Sequence, residues 1–355
     1  MNKKKWMRIA IPIISIIIAL LIASIIIIWI GEGSFADRLR FLAEAYNELI
    51  KGAFGNKTAI MNTIIKMTPL ILTGLAVGFG FRAGIFNIGA EGQMAMGALT
   101  ATIFAVNAAS LPTFIAIPLT MIVGMLAGAV WAGIAGFLKA KTGAHEVITT
   151  IMLNWIAYNI TNWAVTGPFN AGGGIPKSPE IASSAKLPNL LTSQASFMSF
   201  GILIAITAAI VIYIILYRTS MGYEVKAVGF NPYAAEYGGI NVSKNIILTM
   251  AISGALAGLA GTLEATGLYH RFYGTLSSGK GFDGISIALI GQNNPFGILA
   301  ASLLIGALRT GSNQMQFAGV PKHIVMIIQS IIIFLVAAER IVMSIMGWNK
   351  KKGAK

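Results

Sequence analysis

The sequence predicts an all-α polytopic membrane protein of about ten transmembrane helices, with both termini cytoplasmic. Three observations lead there. Only 11% of the 355 residues are charged against 56% hydrophobic, with a mean hydropathy of +0.76, whereas a soluble domain carries about 25% charged residues. Forty glycines suit a membrane bundle, in which small residues let helix backbones approach. The net charge of +14 gathers at the two ends, in MNKKKWMR and GWNKKKGAK. That is the distribution of cytoplasmic flanks and not of a nucleic-acid-binding face.

The first span is the apolar run from about Ile9 to Ile30, and about 22 residues at 1.5 Å each cross the ~30 Å hydrocarbon core. It is too long for the apolar part of a cleaved leader, and no small-residue cleavage site follows it, so it reads as an anchor. From Phe35 to Phe54, apolar residues recur at helical spacing between Asp37, Arg38, Arg40, Glu44 and Glu48. This predicts an amphipathic helix lying on the outer surface, started by a capping box of Ser34 and Asp37. Further spans are expected over about Ile60–Phe81, Gly89–Val106, Phe114–Leu138 and Val147–Val165. A long polar loop rich in Gly, Pro and Ser follows. Spans at about Phe197–Tyr217 and Ile246–Leu268 come next.

One uninterrupted span at Ile285–Leu308 would send the C-terminal lysines outside. A break at GQNNPFG, Gly291 to Gly297, gives two short crossings before the last span, Ile324–Met346, and returns the C-terminus to the cytoplasm; Asn-Asn-Pro is a strong helix breaker. Small-xxx-small pairs such as Gly124/Gly128 and Gly254/Gly258 mark helix-contact faces.

GTLSSGKG, Gly274 to Gly281, comes within one residue of a P-loop, but the hydroxyl expected after the Lys is Gly281, no apolar strand precedes it, and the topology puts it outside the cell. It reads as a glycine-rich outer loop, and the chain carries no ATP engine of its own. Zero cysteines exclude disulfides and thiolate chemistry, and the three scattered histidines offer no metal-ligand pair. No cofactor is expected on this chain.

The longest cytoplasmic loop lies between the sixth and seventh spans. Inside it Asn231 is a good N-cap, Pro232 suits the first helical position and Gly238–Gly239 can end the helix. The prediction is a helix of about two turns over PYAAEY, flanked by Arg218, Lys226 and Lys244. It is either a capped connector or a rigid knob that seats in a separate ATPase.

Within that helix, Ala234-Ala235 followed by Gly239 resembles the core of the EAA loop by which permeases of ABC importers engage their ATPase subunits; Tyr233 stands where the usual Glu would be, and the downstream Ile-x-Leu-Pro portion is not evident. Three longer stretches, Phe81–Leu99, Gly143–Ala157 and Arg218–Ile240, resemble permeases of the bacterial nucleoside/simple-sugar branch of ABC importers, related to ribose and branched-chain amino-acid permeases. The resemblance implies a single membrane-spanning permease domain. Residues 1–57 hold the first span and the outer helix, 58–346 the permease core and 347–355 a basic cytoplasmic tail. It also implies partners: ATP-binding subunits carrying ATP and Mg, a second and non-identical permease, and an external or lipoprotein substrate-binding protein. Coupling would fall to Asn231, Pro232, Tyr233, Ala234, Ala235, Glu236 and Gly239. The cargo it implies is a nucleoside, with ribose-like sugars as the alternative.

Polar residues within the membrane face a bundle interior or a cavity. Asn154, Tyr158 and Asn162 form one stripe on the fifth span, fit either to bond cargo or to join helices. Asn87, Glu91 and Gln93 stand at the cytoplasmic start of the third span, where Glu91 could gate, pair with Arg82 or cap the helix. Glu264 reads as the most exposed charge of the seventh span, lining an outer vestibule or pairing with Arg271. A self-sufficient ion-coupled transporter is the competing class; it calls for mid-membrane carboxylates, and only Glu91, Glu146 and Glu264 come near.

Overall fold

The computed structural model describes residues 3–274, 276–321 and 323–337. The predicted basic tail, 347–355, and the end of the last predicted span, 338–346, lie outside the described residues. The elements are α1 (Lys3–Ile30), α2 (Phe35–Phe54), α3 (Lys57–Arg82), α4 (Ala90–Val106), α5 (Thr113–Thr142) and α6 (Glu146–Thr166). A short hairpin, β1 (Asn189–Thr192) and β2 (Phe197–Ser199), precedes α7 (Gly201–Arg218), α8 (Ser220–Phe230), α9 (Pro232–Tyr237) and α10 (Val242–Glu264). After α10 come a π-helical turn (Ala265–Tyr269), α11 (Lys280–Ile290), α12 (Pro295–Phe317) and α13 (His323–Ala337). Six of these helices are long and apolar enough to cross a membrane: α1, α3, α5, α7, α10 with its π-turn, and α12.

Local chemistry sets several boundaries. Ser34 and Asp37 form the expected reciprocal capping box on α2. The predicted break falls at 291–294, where Gln292 and Asn293 both have φ of +53°; Asn294 then caps α12 by accepting from the Phe296 and Gly297 amides at 3.0 and 3.3 Å, with Pro295 in the first helical position. Thr219 caps α8, its hydroxyl accepting from Gly222 N, so the expected cytoplasmic loop carries one helix more than the sequence reading gave it.

The span expected from Phe197 starts at Gly201. Residues 197–199 instead pair antiparallel with 189–192, Leu191 opposite Met198 and Thr192 opposite Phe197, behind a turn closed by Ser193 N donating to Ser196 O at 2.8 Å. The long polar loop is likewise stitched down. Ser178 N donates to Phe272 O (2.9 Å), Ile181 N to His270 O (3.1 Å), Leu187 N to Thr266 O (3.1 Å) and Ala182 N to Ala105 O (3.0 Å).

The described residues form two compact units, one from those up to 63 together with those from 304 onward, the other from those between 64 and 303. In the first, α1 meets α13 through Ile14, Ile18, Ile331 and Leu335, and the Tyr46 hydroxyl of α2 donates to Leu20 O at 2.8 Å. In the second, α10 is the central helix. Gly128 of α5 and Gly258 of α10 lie so close that a Cβ on Gly128 would stand 2.9 Å from the Gly258 Cα, the small-residue contact the sequence spacing predicts.

Candidate functional site

All the predicted pathway residues belong to the second unit, and six of the seven gather where α4, α6, α10 and α11 meet. Asn87 sits in the turn between α3 and α4. Its Nδ2 donates to Gln93 Oε1 (2.9 Å) and to Ser253 Oγ (2.8 Å), while its Oδ1 accepts from Gln93 Nε2 (3.0 Å) and Gly89 N (2.9 Å). Ser253 of α10 passes the chain on to Ala76 O at 2.6 Å. Asn154 of α6 clasps the same turn, donating to Ile88 O at 3.0 Å and accepting from Gly92 N at 2.8 Å. These amides join helices, the structural side of the alternative the polar stripe left open; buried polar groups must find such partners. Asn162, one turn beyond Tyr158, stands apart and exposed.

Glu91 is fully buried in the first turn of α4. Its carboxylate accepts from Gly279 N (2.7 Å), Gly281 N (2.6 Å) and the Tyr158 hydroxyl (3.0 Å). The glycine-rich stretch thus does form an anion cradle at a helix N-terminus, where free amides and the helix dipole favour negative charge, and the anion is a carboxylate of the same chain. This removes one of the three roles left open for Glu91 and corrects one expectation. Arg82 does not pair with Glu91; its guanidinium donates to Asn293 O (2.9 Å), Gln292 O (3.3 Å) and the Tyr217 hydroxyl (3.2 Å). Nor do Glu91 and 274–281 sit at opposite faces of the membrane. Their contact requires at least one of the two segments to fold back into the bundle, and α11, with 11 residues, covers about 16 Å, half the hydrocarbon core. Irregular backbone at such depth is tolerated where protein buries it.

Glu264, expected to be the most exposed charge of its span and either to line an outer vestibule or to pair with Arg271, is 5% exposed and pairs with Lys280 at 2.9 Å. Lys280 also donates to Leu276 O at 2.9 Å. Arg271 turns to Glu180 in the long loop instead, at 2.9 Å. Burial is what selects these partners: a carboxylate removed from water must be paired or hydrogen-bonded. Sequence reasoning missed both pairings, although Gly279-Lys280-Gly281 at a helix start was their visible signal. Glu146 completes the set, pairing with Lys139 at 2.5 Å.

At the other candidate site the structure builds α9 as predicted. Asn231 Oδ1 accepts from Ala234 N at 3.1 Å, Pro232 takes the first position, and Gly239 follows the end with φ of +83°. The faces differ from expectation. Ala235 is buried, 5% exposed, and packs into its own chain, while Tyr233, Ala234, Glu236 and Tyr237 point outward, Tyr237 at 98% exposure. Phe230 at the end of α8 is 91% exposed beside them. The projecting surface is aromatic.

A known family model, described as "Branched-chain amino acid transport system / permease component", matches residues 59–337. The chain belongs to this family. Among curated members, the guanosine ABC transporter permease protein NupP of Bacillus subtilis is 38% identical over 99% of both chains. The nucleoside ABC transporter permease protein NupB of Lactococcus lactis is 35% identical over 95% of this chain and 93% of its own. The glucose ABC transporter permease protein TsgB13 of Haloferax volcanii is 32% identical over 94% and 88%. Bacillus subtilis also has a second guanosine permease protein, NupQ, 30% identical over 69% of this chain and 78% of its own. No solved structure matches significantly. As a member of the permease family with six long apolar helices, the protein is a multi-pass membrane protein.

Proposed function

We propose that this chain is a pore-forming permease subunit of an ATP-driven importer, moving nucleosides that an external binding protein delivers. The observation that carries the reading is its end-to-end likeness to a protein named for guanosine transport. The chain works by alternating access, with ATP and Mg held on a separate ATP-binding subunit. In this reading α4, α6 and α13 join the six longer helices as crossings, and the short α11 makes the tenth together with the stretch before it that folds into the bundle, with both termini in the cytoplasm. The partner in the pore is a second, non-identical permease, in line with the paired names NupP and NupQ. Coupling falls to α9: Asn231 and Pro232 start it, Ala235 anchors it, Gly239 ends it, and Tyr233, Ala234 and Glu236 meet the ATPase. Asn87, Glu91, Gln93, Asn154, Tyr158, Asn162 and Glu264 border the cargo pathway.

Uptake of labelled guanosine by liposomes holding the assembled importer tests this. It should require ATP and the ATP-binding subunit, and unlabelled ribose or glucose should not compete. Uptake by this chain alone under a proton or sodium gradient would overturn the reading. Simple-sugar cargo is the second reading, favoured by the name of TsgB13, and competition by glucose would select it. An ion-coupled mechanism is less favoured, because Glu146 and Glu264 are each tied to a lysine and Glu91 to two amides and a phenol.

A further inference from the structure

Asn231 alone separates α8 from α9. Its amide closes α8 onto Ala227 O at 3.1 Å while its side chain caps α9, so a displacement of α9 reaches α8 within one residue. Two residues earlier, Gly229 lies against the backbone that ends α3. A Cβ on Gly229 would stand 2.9 Å from the Ala83 carbonyl carbon, and one on Gly84 would stand 3.3 Å from the Gly229 Cα. Gly84, at φ of +71°, is the left-handed residue of a Schellman motif, with Ile85 N donating to Gly80 O (3.0 Å) and Gly84 N to Phe81 O (3.2 Å). A parallel contact joins the same elements: Lys226 of α8 sits 5.2 Å from the Tyr217 ring centre, and the Tyr217 hydroxyl accepts from Arg82.

Beyond Gly84 the chain runs through Asn87 to Glu91, whose carboxylate is seated on the Gly279 and Gly281 amides. Close-packed backbone cannot absorb a push as a flexible side chain would, and a coupling route requires an element at its far end that can take a second arrangement.

We infer that the Gly84–Gly229 contact is the joint by which α9 acts on Glu91. Movement of α9 passes through α8 to the turn at 83–89 and lifts Glu91 from the N-terminus of α11. The inference rests on the proposed reading of α9 as the coupling helix.

The chain has no cysteine, so Ser277→Cys, at a buried position beside the seat, gives a single labelling site. In the assembled importer in liposomes, a small maleimide should label it at least fivefold faster with ATP and vanadate bound than without nucleotide. Adding Gly229→Ala should erase that difference and lower guanosine uptake at least tenfold, while the ATP-binding subunit still co-purifies and hydrolyses ATP. A labelling difference that survives Gly229→Ala, or uptake within twofold of the parent, overturns the joint. If the Gly229→Ala protein does not assemble, the Ser277→Cys protein decides: nucleotide-dependent labelling supports the joint and indifference overturns it. Failure of the ATP-binding subunit to bind the parent chain is seen before any labelling; it sinks the reading of α9, and the joint with it.

Discussion

The Glu91 carboxylate receives the Gly281 amide at 2.6 Å across 190 residues of sequence. Gly279 N and the Tyr158 hydroxyl complete the seat, so three helices are tied at one buried anion. In a P-loop the same kind of amide row holds phosphate. Here the site is filled from within.

Removing the anion should therefore cost stability. Glu91→Ala leaves two amides and a phenol without their acceptor, each at about 1–3 kcal/mol. Glu91→Gln keeps one acceptor oxygen and should fall between Ala and the parent. Thermal loss of the monodisperse peak in detergent ranks the three, and an Ala variant as stable as the parent contradicts the seat.

Glu264 and Lys280 make a second test, because both are largely buried, with side chains 6% and 18% exposed. Breaking a buried pair by removing one partner costs about 3–5 kcal/mol, whereas replacing both is often neutral. Lys280→Met alone should destabilise strongly, and Glu264→Gln added to it should restore most of the loss. Additive damage in a double-mutant cycle would argue that the two do not interact.

The coupling surface is best probed where it is exposed. An Arg at Ala235 would disturb the chain's own packing, since that methyl is buried. Tyr237→Ala touches almost nothing inside the chain, so expression and melting should match the parent. Recovery of the ATP-binding subunit on the purified chain should nevertheless drop at least fivefold, aromatic anchors being the commonest hot spots of interfaces. Full recovery of the partner would move the docking surface away from α9.

Local signals were legible and distant ones were not. The capping box at Ser34, the Asn231–Pro232 start and the Asn-Asn-Pro break each depend on residues within a turn of one another, and each stands where the sequence put it. The long-loop hairpin, the Lys280–Glu264 pair and the Glu91 seat depend on packing across 5 to 190 positions. In those cases the pairing partners that nearest-neighbour reasoning offered, beside other roles, were Arg82 for Glu91 and Arg271 for Glu264, the cations closest in sequence. Burial decided otherwise: Lys280 meets Glu264 in the interior, and the Gly279 and Gly281 amides with the Tyr158 hydroxyl meet Glu91.

The loop at 177–187 should loosen in two steps on acidification. The Lys186 and Arg271 charges beside Glu180 hold its carboxyl below the usual 4.5. Burial, with the Lys186 charge, holds His270 below the usual 6.5, its ring stacked 5.8 Å from Phe197. Both groups take up protons more readily when the loop is undocked, so both stabilise docking at higher pH. The His270 contribution is present above 6.5 and fades as pH falls through its lowered value; that of Glu180 is present above 4.5 and fades only further down. Hydrogen exchange at the Ser178, Ile181 and Leu187 amides, corrected for the intrinsic rate, should show full protection at pH 7–8, a first loss below about 6.5 and a second below about 4.5. His270→Gln should remove the first step and leave the second. Protection that rises on acidification would reverse the sign of both contributions and exclude this account of the loop.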